Sequence, residues 1–364
     1  KLIRTKAFSN INITASSVVA KDYNGDGLID LFLGGRAVPF AYGTIPRSYL
    51  LINDGKGNFT DKTIALAPGL AQVGIIKDAE LADIDGDKDL DLVLALEWGG
   101  IIAFSKEKAG YVKKTLTVAK GWWNFIHALD IDNDGDMDFV AGNLGMNSRL
   151  MAFQNEPVRL YLNDFDGNGT IDQVLTYYLH GKEIPFANKA ELEKQMPILK
   201  KKFLYAADFA KATIEEIFGK EKLNKAQVLS ADYFSNSILI NDGLGKFSLQ
   251  PLAPEAQFTP YRDAAILDYN KDGLKDIFIA GNFYGNNIQL GRSDADYGTL
   301  LINQSKGKFL PMPLPGIVIK GEVRKILPLS VGIYPTWVLA RNNDSALIIS
   351  IRESIPAASQ PVNQ

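Results

Sequence analysis

The sequence predicts an all-β protein, a β-propeller of four-stranded antiparallel blades with one helical insertion. Three observations predict this fold. A nine-residue aspartate-rich pattern occurs five times, short apolar runs flank every copy, and a second turn motif occurs three times. Radial arrangement of repeated four-stranded units hides their sheet edges, which is why such repeats are typical of propellers. Seven blades are favoured, and six are the alternative.

The aspartate-rich pattern has the form D-x-[DN]-x-[DN]-G-x-x-D in most copies. Its flanking apolar runs are strand-like, for example AAILD before the last copy and IFIAGN after it. Short apolar runs on both sides of a polar, glycine-containing turn indicate a β-hairpin. The copies are DYNGDGLID at 22, DIDGDKDLD at 83, DIDNDGDMD at 130, DFDGNGTID at 164 and DYNKDGLKD at 268.

The second motif supplies another hairpin for each unit. It reads LLINDGKGNF at 50, ILINDGLGKF at 238 and LLINQSKGKF at 300. Glycine allows the positive φ that tight hairpin turns require. Two hairpins make a four-stranded antiparallel sheet. A sixth unit, from Val323, keeps the strand pattern around a loop without the aspartates.

One segment interrupts the strand pattern. From about residue 180 to 227 the chain is rich in Ala, Glu, Lys and Leu at helical spacing, which predicts helices inserted between strands. We therefore expect a single domain over residues 1–351 that contains this insert. Residues 352–364 are predicted to be a linker or a disordered tail.

Composition limits the function. The chain of 364 residues is 46% hydrophobic and has a net charge of −3, which argues against a generic nucleic-acid-binding protein. No apolar stretch approaches the roughly 18 residues of a membrane-spanning helix. Cysteine is absent and there are two histidines, so any bound metal is expected to be a hard ion held by oxygen. Because the chain starts at Lys1, we expect a mature or truncated piece, with any export signal lying outside it.

The aspartate-rich loops predict calcium sites. Side chains at positions 1, 3, 5 and 9 and the carbonyl at position 7 can surround one cation of calcium size, whereas Mg²⁺ keeps more of its water. We expect up to five Ca²⁺ ions with a structural role; the alternative is that Asp, Asn and Gly merely favour turns. The second copy departs from the pattern with Lys88 at position 6. The predicted ligands are Asp22, Asn24, Asp26, Leu28 and Asp30; Asp83, Asp85, Asp87, Asp89 and Asp91; Asp130, Asp132, Asp134, Asp136 and Asp138; Asp164, Asp166, Asn168, Thr170 and Asp172; and Asp268, Asn270, Asp272, Leu274 and Asp276.

These loops resemble the FG-GAP or VCBS repeat of calcium-binding β-propellers, such as integrin α-chain heads and cartilage acidic protein. The segments GNLGMNSRL, GKEIPF, ATIEEIFGKEKL and AGNFYG are similar to the propeller region of large exported Bacteroidetes proteins, which often also carry an ASPIC and UnbV segment. The resemblance covers nearly the whole chain and is specific for fold and calcium. It implies export to the extracellular or outer-membrane surface, as part of a longer lipoprotein.

A ligand face is predicted on the rim opposite the calcium loops, because the segments that follow each second strand return to that rim. Aromatic, amide and guanidinium groups there would suit a sugar or an extended peptide. The alternative is that the Gly-Asn pairs shape turns and the tryptophans pack between blades. The candidate ligand-binding residues are Arg36, Trp98, Trp122, Trp123, Asn143, Asn147, Arg149, Tyr284, Asn286 and Arg341.

The leading hypothesis for function is a calcium-binding adhesion or scaffold module of an exported protein that binds a glycan or protein ligand. The alternative is a polysaccharide lyase or hydrolase with its site at the propeller axis, for which His127 is the candidate base. A lone strand histidine is more often a packing residue, and no nucleophile or acid pair stands out, so we expect no enzyme. A third hypothesis is a purely structural spacer.

Overall fold

The structure is a computed structural model that describes residue 8 and residues 11–287, 290–330 and 334–351. The predicted tail at 352–364 lies outside the described residues. Strands dominate the described part of the chain, and short helices are concentrated between residues 189 and 225. No described helix has the length and apolar character needed to cross a membrane.

The strands are short, with two exceptions in the second sheet. They are β1 (Thr14–Lys21), β2 (Asp30–Ala37), β3 (Tyr49–Asn53), β4 (Phe59–Asp61), β5 (Ile75–Ala82), β6 (Asp91–Glu107), β7 (Gly110–Trp122), β8 (Phe125–Leu129), β9 (Asp138–Gly142), β10 (Val158–Asn163), β11 (Asp172–Leu179), β12 (Lys182–Pro185), β13 (Gln227–Ala231), β14 (Ser237–Asn241), β15 (Phe247–Pro251), β16 (Tyr261–Leu267), β17 (Asp276–Gly281), β18 (Thr299–Asn303), β19 (Phe309–Pro313), β20 (Val323–Pro328), β21 (Thr336–Arg341) and β22 (Leu347–Ser350).

The α-helices have at most seven residues each, and a 3₁₀ turn covers Pro254–Gln257. They are α1 (Thr63–Leu66), α2 (Lys189–Gln195), α3 (Ile198–Lys202), α4 (Ala206–Lys211), α5 (Ile214–Phe218) and α6 (Lys220–Lys225).

The described strands form six separate antiparallel sheets. Their orders are β1-β2-β3-β4, β5-β6-β7, β15-β14-β9-β8, β12-β11-β10-β13, β16-β17-β18-β19 and β20-β21-β22. The fold is all-β, but none of these sheets closes or curls into a barrel or a propeller, and two of them have three strands. The prediction of a β-propeller with seven or six four-stranded blades is therefore wrong.

Two local features explain why the number of sequence repeats did not predict the architecture. After the second loop the chain runs through Gly99 and Gly100 as one 17-residue strand, β6, which pairs with both β5 and β7. The fourth loop belongs to a sheet inserted between β9 and β14, although those two strands pair with each other. The five loops are alike in sequence, but the sheets that carry them are not equivalent units.

Five of the sheets pack through their first strands, with β1 against β5, β5 against β8, β8 against β16 and β16 against β20. Large apolar side chains fill the spaces between consecutive sheets. Phe32 and Phe104 lie between the first two sheets, and Phe139 lies between the second and third. Full burial of such a side chain contributes about 1.5–3 kcal/mol. These layers hold the first strands side by side.

The helices α2 to α6 cover the inserted sheet. Capping boxes start two of them, with Asn188 paired to Glu191 at α2 and Thr213 paired to Glu216 at α5. Such boxes satisfy backbone N–H groups that a helix start leaves free. The apolar faces of the helices pack on this sheet around Phe165. The insert therefore has its own small core.

Candidate functional site

Each aspartate-rich loop joins two neighbouring strands, and its ninth residue is the first residue of the second strand. These ninth aspartates, Asp30, Asp91, Asp138, Asp172 and Asp276, are at most 2% exposed. In all five, Oδ2 accepts the backbone N–H of the second loop residue at 2.7–3.2 Å. A buried carboxylate requires such partners, so this position closes the loop.

The second oxygen of the ninth aspartate joins the loop to a further strand. In four loops Oδ1 accepts a backbone N–H from the end of the third strand or from β6, as Asp138 does from Asn241 at 2.8 Å. In the inserted sheet, the side-chain amide of Gln195 donates to Asp172 instead. Helix α2 thus supplies the contact that a strand supplies elsewhere.

The first and fifth loop positions shape the turn. Asp22 accepts the N–H groups of Gly25 and Gly27 at 2.7 Å, and these backbone hydrogen bonds lower the pKa of its carboxyl. The side chain at position 5 accepts the N–H of position 7 in every loop, as Asp134 does from Asp136. Several oxygens in each loop are therefore already oriented by the backbone.

In the second, third and fourth loops, carboxylate oxygens from positions 1, 3 and 9 lie within 4.8 Å of one another. Three aspartates of these clusters each have one oxygen that is shielded from solvent and receives no hydrogen bond from any described residue, namely Asp85 Oδ1, Asp130 Oδ1 and Asp132 Oδ1. Burial raises the pKa of Asp138 to about 6, and burial with the neighbouring Asp134 raises that of Asp132. Hard cations prefer oxygen ligands of this kind. These three clusters could hold a metal ion.

The second loop differs from the others in its local charge. Lys88 adopts φ of +72° at position 6, where the other four loops have glycine with φ between +85° and +96°. The ammonium group of Lys114, from β7, forms an ion pair with Asp85 Oδ2. This pair lowers the pKa of Asp85. A lysine therefore supplies part of the positive charge in this loop.

A polar cavity of about 420 Å³ lies at the other ends of the first strands. Lys77, which lines this cavity, lies six positions before Asp83 of the second loop, and six strand residues span roughly 20 Å. Its lining residues are Arg36, Tyr42, Lys77, Glu97, Trp122, Asn124, Leu144, Pro260, Arg262, Phe283, Asn286 and Arg324.

Three of the cavity cations occupy β-bulges. The pairing register of β5 skips Lys77, that of β16 skips Arg262 and that of β20 skips Arg324. An extra residue at a bulge bends the strand and re-aims its side chain. The same irregularity, repeated in three of the sheets, places three cations around one cavity.

The cavity has an excess of positive charge. Glu97 Oε2 lies 2.7 Å from Arg36, and Glu97 Oε1 lies 3.6 Å from Lys77. Burial, opposed in part by Glu97, lowers the pKa of Lys77 to about 8, and burial together with Arg324 lowers that of Arg262 to about 10. Like charges held close in a low-dielectric site disfavour one another's charged forms.

The predicted ligand-binding residues do not form one group. Arg36, Trp122 and Asn286 line the polar cavity. Trp123 is fully buried and donates to the carbonyl of Ala119, so it packs in the core. The other six residues do not line the cavity and contact other parts of the protein. Trp98 donates a hydrogen bond to Tyr42, Asn147 to Phe258 and Arg149 to Tyr177, and Asn143 accepts the N–H of Trp122. The ring of Tyr284 contacts Arg292, and Arg341 forms an ion pair with Asp344.

Lys77, Asn124, Arg262 and Arg324 are not among the ligand-binding residues predicted from the sequence. A signal for three of them is present, because Lys77, Asn124 and Arg262 are each the sixth residue before the first aspartate of a loop. Equal spacing from repeated loops places these residues at equivalent heights on neighbouring strands. Arg324 belongs to the sheet without an aspartate-rich loop, so its position cannot be inferred from the spacing to such a loop.

His127 lies in a separate polar cluster between the first strands. Its Nδ1 is 2.8 Å from Glu80 Oε2, and its Nε2 is 2.7 Å from Asp263 Oδ1. Lys325 also contacts Asp263 Oδ1, at 3.1 Å. Burial alone would lower the pKa of His127, but the hydrogen bonds to Asp263 and Glu80 raise it to about 9. At neutral pH the imidazole is therefore protonated.

Comparison with known proteins identifies one repeat. Residues 22–94 match the model of the FG-GAP-like repeat family. This span contains the first two aspartate-rich loops, so the predicted resemblance to FG-GAP repeats is confirmed there. Similarity to exported Bacteroidetes proteins stays a prediction.

Comparisons over the whole chain give weaker similarity to known proteins. No curated protein matches the sequence. Among solved structures, the chain is similar to the V. cholerae biofilm matrix protein Bap1, with 10% sequence identity and a TM-score of 0.30 over 92% of this chain and 76% of that chain. Similarity at this level carries no argument about function.

Proposed function

We propose that this chain is a calcium-stabilised binding module of an exported, cell-surface protein. Its aspartate-rich loops hold Ca²⁺, and a glycan or protein ligand binds at the opposite ends of the first strands. An FG-GAP-like repeat over residues 22–94 fits a binding module at this coarse level. Oxygen-only metal sites also suit the extracellular space, where calcium modules of modest affinity, Kd about 10⁻⁴–10⁻³ M, are filled.

One observation carries the metal part of the proposal. The oxygens Asp85 Oδ1, Asp130 Oδ1 and Asp132 Oδ1 are buried and receive no hydrogen bond from any described residue. A buried polar atom without a partner costs about 1–3 kcal/mol, and more when it is charged. A cation among the clustered carboxylates would remove this cost and the mutual repulsion of the aspartates.

The alternative of a polysaccharide lyase or hydrolase receives little support from the candidate base. Both ring nitrogens of His127 face carboxylates, Glu80 and Asp263. A pKa raised to about 9 leaves the imidazole without a free lone pair at neutral pH, whereas a general base needs one. This arrangement favours a structural role for His127 and a non-catalytic module.

Thermal unfolding tests the proposal. Chelated protein should melt at a lower temperature than calcium-loaded protein, by roughly 5 °C or more, with a smaller effect of Mg²⁺. The variant Asp132→Asn should bind one Ca²⁺ ion fewer by titration calorimetry. Asp242→Asn is the matched control, since Asp242 accepts two backbone N–H groups in a turn outside the aspartate-rich loops. A melting temperature that is unchanged by chelation would contradict the proposal.

A further inference from the structure

We infer that the polar cavity binds the carboxylate of an acidic sugar, a uronate at the end or within a glycan chain. This inference rests on the proposed function, in which the ligand binds at this end of the module. It goes further by naming the chemical class of the ligand and the groups that contact it.

Two donors in the cavity point to an anionic or acceptor-rich ligand. Arg262 Nε and Trp122 Nε1 are both shielded from solvent, and neither meets an acceptor within the described part of the chain. Both residues line the same cavity. An indole N–H and a guanidinium N–H can only donate. The group that satisfies them must therefore bring acceptor oxygens, as a carboxylate does.

The charges around the cavity agree with a bound anion. Arg36, Lys77, Arg262 and Arg324 line it, and Glu97 is the one acid among the lining residues. Outside the lining, Glu322 lies 3.2 Å from Arg324. Four cations with two acids leave an excess of two positive charges. A ligand carboxylate would offset part of this excess and form charge-assisted hydrogen bonds.

The cations are held in place before any ligand binds. The guanidinium of Arg262 donates to Asn124 at 2.6 Å and lies 4.9 Å from the ring centre of Phe283. The guanidinium of Arg324 lies 5.3 Å from the same ring. Contacts of this kind reduce the entropy that a side chain loses when a ligand arrives. The cavity is thus organised around the anion position.

The remaining lining groups favour a sugar over an acidic peptide. Tyr42 and Asn286 bring neutral polar groups of the type that sugar hydroxyl groups require. Trp122 adds an aromatic surface, held by contacts of 5.1 Å with Trp98 and 4.9 Å with Phe234 between ring centres. The volume, about 420 Å³, is that of a small-molecule pocket, whereas an extended peptide would require a longer groove.

A matched pair of sugars tests this inference. Methyl glucuronoside and methyl glucoside differ only in a carboxylate against a hydroxymethyl group. Ligand-observed NMR with the full chain in excess Ca²⁺ should give a Kd for the glucuronoside about tenfold or more below that for the glucoside. Arg262→Met and Trp122→Phe should each weaken glucuronoside binding by about tenfold. Arg47→Gln, which removes a cation outside the cavity that pairs with Asp61, should leave the Kd unchanged.

The other outcomes separate this inference from the proposed function. Equal binding of the two sugars, or no effect of Arg262→Met and Trp122→Phe, would overturn it. Tighter binding of a glutamate-rich peptide than of the glucuronoside would also overturn it and assign the cavity to an acidic peptide. None of these three outcomes would change the separate test of the proposed function, which is the calcium dependence of the melting temperature. Intact melting temperatures of the variants exclude misfolding as the cause of lost binding.

Discussion

His127 Nε2 lies 2.7 Å from Asp263 Oδ1 and links the first strand of the third sheet to the first strand of the fifth, β16. The other ring nitrogen contacts Glu80 on β5. One imidazolium therefore connects three sheets. Asp263 is fully buried and also receives the N–H of Ile326 from β20 at 2.6 Å. This cluster holds the first strands together between the two candidate sites.

The link predicts a stability that depends on pH. The folded pKa of His127 is raised to about 9, above the unfolded value of about 6.5. Its contribution to the free energy of unfolding is therefore complete below pH 6.5 and is lost as pH rises through 9. We expect a loss of about 3 kcal/mol between pH 6 and pH 10, measured by urea unfolding.

The variant His127→Gln should lack this pH-dependent part of the loss, although other groups still titrate. Histidine NMR gives a direct check, because His180 is the other histidine in the sequence and His180→Gln assigns the signals. A titration midpoint of His127 below pH 7 would contradict the prediction.

Asn303 provides a bond between sheets that can be tested by mutation. Its side-chain amide donates to the carbonyl of Ile131, in the third aspartate-rich loop, at 2.7 Å and to that of Lys275 at 3.1 Å. Asn303→Ala should lower the free energy of unfolding by about 1–3 kcal/mol, since buried carbonyls lose their donor. Asn58→Ala, which changes an exposed turn residue, should change it by less than about 0.5 kcal/mol. Equal effects of the two substitutions would refute the role of Asn303.

The backbone conformation of Lys88 predicts that its replacement by glycine stabilises the protein. Lys88 adopts φ of +72°, a conformation that costs a side chain with a Cβ atom more than it costs glycine. Lys88→Gly should raise the free energy of unfolding by about 0.5–1 kcal/mol, as measured by urea unfolding. Lys56→Gly, at a turn position without positive φ, is the control and should give no gain. Destabilisation by Lys88→Gly would show that the lysine side chain has a role of its own.

Ligand binding in the polar cavity should weaken at high pH. The pKa of Lys77 is lowered to about 8 by burial, with Arg262 and Arg36 adding repulsion and Glu97 opposing it. Arg324 and Tyr42 complete the charged and titratable groups that line this cavity with Lys77. A bound carboxylate favours the ammonium form, so binding takes up a proton near pH 8.

Affinity for methyl glucuronoside should therefore fall roughly fivefold between pH 7 and pH 9.5. Lys77→Arg keeps its charge over this range and should give a nearly flat profile. NMR titrations at the two pH values measure both. An equally steep fall in Lys77→Arg would show that another group is responsible.

The local chemistry of the loops could be predicted from the sequence, but their arrangement could not. Gly27 has the positive φ that a glycine in a sharp turn allows, and the nine-residue loops join strands as the pattern predicts. The residues of the ligand face were harder to predict from the sequence, since Trp123 packs in the core whereas its neighbour Trp122 lines the cavity. Which of two neighbouring tryptophans is covered depends on how the sheets pack, and the sequence does not show this.

The sequence by itself determined the hairpin loops, because the hydrogen bonds within each loop join residues at most seven positions apart and depend on Asp, Asn and Gly at set positions. Only the tertiary structure decided which sheets exist, since β6 continues through two glycines and β9 pairs with β14 across an inserted sheet. The cavity also belongs to the tertiary level. Lys77, Arg262 and Arg324 are far apart in sequence. They meet because β5, β8, β16 and β20 pack in that order to bury the faces of their sheets, and because bulges re-aim the three side chains.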